Sequence, residues 1–122
     1  MISLNVMVVD DSQLAIRKME VMLVEMGHKV VQTASNGSVA VANYRKDLPD
    51  LVTMDITMPE MDGIEATGKI IAEFPDAKII MITSHGQEDM VRQAIKAGAR
   101  GYVMKPVKAE ELTLHIQRVI NL

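Results

Sequence analysis

Leu51-Val52-Thr53-Met54-Asp55-Ile56-Thr57-Met58-Pro59-Glu60-Met61-Asp62-Gly63-Ile64-Glu65 is the stretch that decides the fold. Its first four residues are a continuous apolar and β-branched run, the pattern of a strand covered on both faces. Asp62-Gly63-Ile64-Glu65 reads as a capping box, an acid that can accept the backbone N–H three residues on, at the start of a helix. That helix is expected to reach about Phe74, before a turn at Pro75-Asp76. A buried strand, a short loop and a helix make half of a parallel crossover unit.

The same alternation recurs on either side. Val6-Met7-Val8-Val9 runs into Asp10-Asp11, Ile79-Ile80-Met81-Ile82 into Thr83, and Tyr102-Val103-Met104 into Lys105. Lys29 to Ala34 is a weaker, more mixed strand that suits an edge. Between the strands the apolar spacing turns helical. Ala15, Met19, Met22, Leu23 and Met26 form a stripe that Gly27 can end, and Asn36-Gly37 opens a helix with Val39, Ala40 and Tyr44 as core contacts, closed by Leu48-Pro49. Gln87 to Ala97 carries Met90, Val91, Ala94 and Ile95 ahead of a cap at Gly98. Lys108 to Ile120 buries Leu112, Ile116 and Val119. Five β-α units predict an α/β, flavodoxin-like, doubly wound five-stranded parallel sheet of order 2-1-3-4-5. In such sheets ligands sit outside the carboxyl ends of the strands, beside the switch point between the first and third. Asp10, Asp11 and Asp55 fall there.

The bulk properties set the frame. With 122 residues, 48% hydrophobic and 24% charged, the chain is expected to be one domain over 1–122 with no effector domain. No apolar run approaches the roughly 20 residues of a membrane span, and the first residues lack a secretory pattern. Zero cysteines exclude disulfides and thiolate metal sites. A net charge of −3 gives no basic surface for nucleic acid. A soluble cytoplasmic protein is the expectation. The 11 methionines are expected to fill the core, because aromatic residues make up only 2%. His28 and His115 are expected to be solvated.

Three carboxylates at one strand edge repel one another unless a cation sits among them. Mg²⁺ takes oxygen ligands and keeps several waters, so two carboxylates and a backbone carbonyl make a site for it. Asp55, fixed at the end of a buried strand, can serve as the nucleophile of a phosphoryl transfer, with Mg²⁺, the Lys105 ammonium and the Thr83 hydroxyl on the phosphoryl oxygens. Taken singly, Asp11 reads equally well as the cap of the first helix, and Lys105 as a surface lysine. Two other chemistries compete. A haloacid-dehalogenase-type Mg²⁺-dependent phosphohydrolase would want an acid where Thr57 stands. A flavodoxin-like cofactor binder would not place Asp10-Asp11 against a phosphate.

Asp10-Asp11, Asp55 within the stretch from Leu51 to Gly63, Thr83-Ser84 and Gly101-Tyr102-Val103-Met104-Lys105-Pro106 together resemble a response-regulator receiver domain of the CheY type, over essentially the whole chain. The resemblance implies that Asp55 accepts a phosphoryl group from a phosphohistidine. It implies Mg²⁺ on Asp11, Asp55 and the Thr57 backbone carbonyl, with Asp10 assisting through water, and Thr83 and Lys105 on the phosphoryl oxygens. Tyr102 becomes a switch residue on the surface of the fourth helix, fifth strand and fifth helix. Thr57 and His85 flank the path of attacking water and tune phosphoryl lifetime. The Lys105–Pro106 bond is expected to be cis. The implied partners are a chemotaxis-type histidine kinase, a phosphatase, and either a flagellar switch protein or a histidine phosphotransfer protein, contacted by a monomer. The second of those outputs makes the chain a phosphorelay intermediate instead of a motor regulator.

Overall fold

The computed structural model describes residues 2–84 and 88–121. Its elements follow in the order β1 (Asn5–Val9), α1 (Gln13–Glu25), β2 (Lys29–Ala34), α2 (Gly37–Asp47), β3 (Leu51–Asp55), α3 (Gly63–Glu73), β4 (Ile79–Thr83), α4 (Glu88–Ala97), β5 (Gly101–Met104) and α5 (Ala109–Ile120). All strand pairs are parallel, in the order β2-β1-β3-β4-β5. The flavodoxin-like arrangement expected from the sequence is therefore present.

Alternation along the central strands explains why they read as unbroken apolar runs. Met7, Val9, Val52, Met54, Ile79 and Met81 pack with α2, α3 and α4 residues into one core. Val6, Val8, Leu51, Ile80, Ile82 and Val103 pack with α1 and α5 into the other. A strand buried on both faces has no solvent side on which to place a polar residue. Every residue of β3 and β4 is buried, so Asp55 and Thr83 are carried to the sheet edge by rods that cannot slide or rotate.

The helix ends are fixed by short-range chemistry. Asp62 accepts the Glu65 N–H at 2.8 Å, and Asn36 accepts that of Val39 at 2.9 Å. At α1 the cap is Ser12, whose hydroxyl accepts the Ala15 N–H at 3.2 Å, so Asp11 is not spent on that task. Gly27 and Gly98 adopt φ of +94° and +117° after α1 and α4, the left-handed caps expected there. Three apolar assignments differ from expectation. Ile16 is buried where Ala15 is only half-buried, and Val39 and Ile95 face solvent. Each missed position lies at the margin of its helical stripe, where a small rotation of the helix axis decides burial.

His28 is half-buried, not solvated: its Nδ1 accepts the Leu4 N–H at 3.1 Å. The Leu4 carbonyl in turn accepts the Lys29 N–H, so this pair fastens the turn after α1 to the entry of β1. At the sheet margin, β2 carries one extra residue: Val6 faces Val30 and Met7 faces Gln32, leaving Val31 as a bulge. Beyond it the Ala34 carbonyl accepts from Asp10, so the neighbouring Thr33 turns its backbone outward. Both outward groups are covered. The Thr33 N–H donates to Gln32 Oε1 at 3.1 Å, and its carbonyl accepts from Asn43 Nδ2 at 3.2 Å. Gln32 is itself held by Asp47 at 2.8 Å.

Candidate functional site: an acidic triad with a lysine

Parallel pairing brings the ends of β1, β3, β4 and β5 to one edge, although Asp10 and Lys105 are 95 positions apart in sequence. Oxygens of Asp10, Asp11 and Asp55 lie within 4.8 Å of one another. Asp10 and Asp55 are buried, and Asp11 is exposed at the mouth. The Lys105 ammonium closes the inner side, 2.8 Å from Asp10 Oδ2 and 3.5 Å from Asp55 Oδ1. Asp10 Oδ1 accepts the Ser12 N–H at 3.0 Å, so both oxygens of this acid are already engaged. Asp11 is exposed, and Asp11 and Asp55 each bring an oxygen to the cluster. A cavity of about 670 Å³, lined by Val8, Met19, Thr53, Ile82 and Val107 among others, opens beside Asp10 and Lys105.

The electrostatics follow from that crowding. Burial pushes the Asp55 carboxyl up to about 6. The charge on Asp10 adds to this, Lys105 opposes it, and Asp11 adds a little more. Burial works against the Lys105 ammonium, yet its hydrogen bond to Asp10 and the two acidic charges outweigh that, and its pKa lies above the ordinary value. The lysine alone thus fails to satisfy Asp55. A hard cation on the open side would restore the balance, and an all-oxygen donor set of this kind suits one.

Thr57 follows on the β3–α3 loop, its side chain exposed between buried Ile56 and Met58. Those two anchors hold the backbone in place while the side chain points out. Gly63 returns the loop to its start by donating to the Ile56 carbonyl at 2.8 Å. Its Cα rests so close on the Asp55 carbonyl that a Cβ would overlap it. Thr83 is buried at the end of β4, and its side chain is hydrogen-bonded to that of Tyr102. Burial raises the Tyr102 phenol, and this bond partly offsets the rise. The Thr83 carbonyl also accepts the Lys105 N–H at 2.7 Å, and Lys105–Pro106 is cis. Every candidate site residue but one is thereby brought to a single edge or linked to it; His85 lies outside the described residues.

Two features escaped the sequence reading. One is the engagement of each Asp10 oxygen, by Ser12 and by Lys105. The other is the direct Thr83–Tyr102 bond. The first had a signal, because a serine two residues after an acid offers its N–H to that acid in a local turn. The second had none, since it depends on a tyrosine rotamer.

Comparison with known proteins agrees with this geometry. Residues 6–117 match the model of the response regulator receiver domain. The chain is 43% identical over 117 residues to the chemotaxis protein CheY of Bacillus subtilis, covering 96% of this chain and 98% of that one. Against CheY of Halobacterium salinarum the identity is 46% over 117 residues, with 96% and 97% covered. A chain in the crystal structure of the CheX–CheY–BeF3–Mg complex from Borrelia burgdorferi superposes with a TM-score of 0.91 at 32% identity, covering 94% of this chain and 87% of that one. The protein belongs to the response regulator receiver domain family. It is a phosphoacceptor signalling protein and not an enzyme.

Proposed function

We propose that the protein is a stand-alone phosphorylation switch that takes a phosphoryl group on Asp55 from the phosphohistidine of a chemotaxis-type histidine kinase. The observation that carries this reading is the Lys105 ammonium, 2.8 Å from Asp10 and 3.5 Å from Asp55, beside a triad with an open solvent face. In the transfer, an Asp55 oxygen forms the new P–O bond as the P–N bond to the imidazole breaks, and the ring nitrogen leaves with the electron pair. Asp55 must be ionised to attack, a state reached above its pKa of about 6. Buried β3 holds the attacking oxygen in place, which lowers the entropic part of the barrier.

Mg²⁺ fits the donor set, with Asp11, Asp55 and the Thr57 carbonyl as direct ligands. Asp10, which already accepts from Ser12 and Lys105, would act through water. When bound, the ion would neutralise the acids and the charge gathering on the phosphoryl oxygens. Lys105 and the Thr83 hydroxyl hold the remaining oxygens of the product. Engaging Thr83 there competes with its bond to Tyr102. Tyr102 lies on β5 next to α4, whose Arg92 and Lys96 are exposed, as is Arg100 in the turn that follows. Loss of that bond would alter the α4-β5-α5 surface, to which we assign binding of a flagellar switch protein; the relatives named as chemotaxis proteins support a chemotactic output. Thr57 and His85 set the phosphoryl lifetime, a phosphatase ends the signal, and the protein works as a cytoplasmic monomer.

Incubation with labelled acetyl phosphate and Mg²⁺ tests the acceptor. The parent chain is expected to take up label and Asp55→Asn to take up none; Mg²⁺-dependent labelling of the variant overturns the assignment. A pull-down with and without beryllofluoride tests the output. Retention of a flagellar switch protein supports motor control, and retention of a histidine phosphotransfer protein alone replaces it with a phosphorelay role.

A further inference from the structure

Gly37, the first residue of α2, is pressed against the loop that follows the phosphoacceptor. A Cβ placed on it would lie 2.5 Å from the Met61 carbonyl oxygen, 2.8 Å from Met61 Cγ and 2.9 Å from Met61 Cβ. No side chain fits there unless one of the two elements moves. On the α2 side, Gly37, Ala40 and Tyr44 are buried and Asn36 caps the first turn, so the helix is held by its core contacts. On the other side stands a short irregular segment, residues 56–62. It is tied at its ends by the Gly63–Ile56 hydrogen bond and by the Asp62 cap of α3. Inside it, Glu60 already sits in the left-handed region at φ 66°. Pinned at both ends and strained in the middle, the segment cannot absorb a push on Met61 locally. A push on Met61 is passed along the segment, and Thr57 moves by as much as its buried neighbours Ile56 and Met58 allow.

We infer that Gly37 is a positioning residue for the cation site: contact between its bare Cα and the Met61 carbonyl sets where the Thr57 carbonyl stands. The inference rests on the proposed role of that carbonyl as a Mg²⁺ ligand. Supports behind a ligand typically alter metal affinity by about 10- to 100-fold when disturbed.

The test is Mg²⁺ titration by calorimetry of the metal-stripped protein, with urea unfolding of each variant in parallel. Gly37→Ala is expected to bind Mg²⁺ about 10-fold more weakly than the parent or worse. Gly68→Ala serves as the control, because a Cβ on Gly68 meets nothing within 4 Å, and its affinity is expected to equal that of the parent. Parental Mg²⁺ affinity in Gly37→Ala overturns the inference even if stability falls, since α2 would then have taken the shift. Should Gly37→Ala not fold, Gly37→Ala/Met61→Ala is compared with Met61→Ala alone. The carbonyl contact survives in that pair, so several-fold weaker binding is expected and equal affinity overturns the inference. A parent chain that binds no Mg²⁺ removes the metal reading and the Gly37 assignment together, an outcome distinct from both.

Discussion

Replacing Asp55 by asparagine should make the protein more stable while removing its acceptor. Asparagine matches the protonated acid in shape and never ionises, so the variant isolates what ionisation of Asp55 costs the fold. The folded pKa is about 6, against a model value of 3.8. Because the folded value is raised, the stability attached to the proton is fully present below pH 3.8 and is lost as pH rises through 6. Linkage then gives a deficit of about 3 kcal/mol at pH 7.5, about 1.5 at pH 5 and about 0.5 at pH 4. Water reaching the carboxylate through the open side reduces these values, and a gain of about 1–3 kcal/mol is expected at pH 7.5. Urea unfolding of parent and Asp55→Asn in EDTA, at pH 7.5, 5 and 4, measures the difference directly. Adding Mg²⁺ at pH 7.5 should narrow it, since the ion binds the folded parent more tightly than the variant. A variant no more stable than the parent at pH 7.5, or a gap that does not shrink towards pH 4, would refute the account of crowding at the triad.

Two further outcomes follow from the same geometry. Lys105→Met removes the only cation in contact with Asp10 and Asp55 among the described residues. It is expected to raise the Asp55 pKa by roughly one unit or more in a carbon-13 NMR titration, and a fall would contradict the pairing. Leu48, exposed with φ 44° at the end of α2, holds a left-handed conformation that its side chain disfavours. Leu48→Gly is expected to raise stability by about 0.5–1 kcal/mol in thermal unfolding, with no change in phosphorylation.

Much of the site was legible because it lies where periodicity ends. A strand buried on both faces announces itself by four apolar residues in a row, and the polar residue that breaks the run is forced to the sheet edge. Asp10, Asp55 and Thr83 were all found in that way, whereas Lys105, after a three-residue run on the partly exposed edge strand β5, was legible only from the family resemblance. Asp62 and Asn36 were legible for a similar reason, since capping is local chemistry with a fixed spacing. What depends on distant geometry was not. Whether Ile16 or Ala15 meets the core turns on the rotation of α1 against the sheet. His28 looked solvated because its partner, the Leu4 N–H, is 24 positions away. The choice of Lys105 between Asp10 and Asp55 turns on tenths of an ångström that no spacing encodes.

The covered margin at β2 gives the sheet a polarity of use. Parallel strands leave two flanks, and an open flank is a template on which any extended chain can add itself. Here the Val31 bulge spoils the register of an incoming strand, and Gln32 and Asn43 occupy the hydrogen bonds it would need at Thr33. Strand addition is thereby opposed at the Thr33 end of that side, whatever happens at Asp55. The opposite flank belongs to β5, where Tyr102 is coupled to the acidic edge through Thr83. One flank is partly capped by its own side chains, and on the proposed switch the other is the one that would respond to the chemistry.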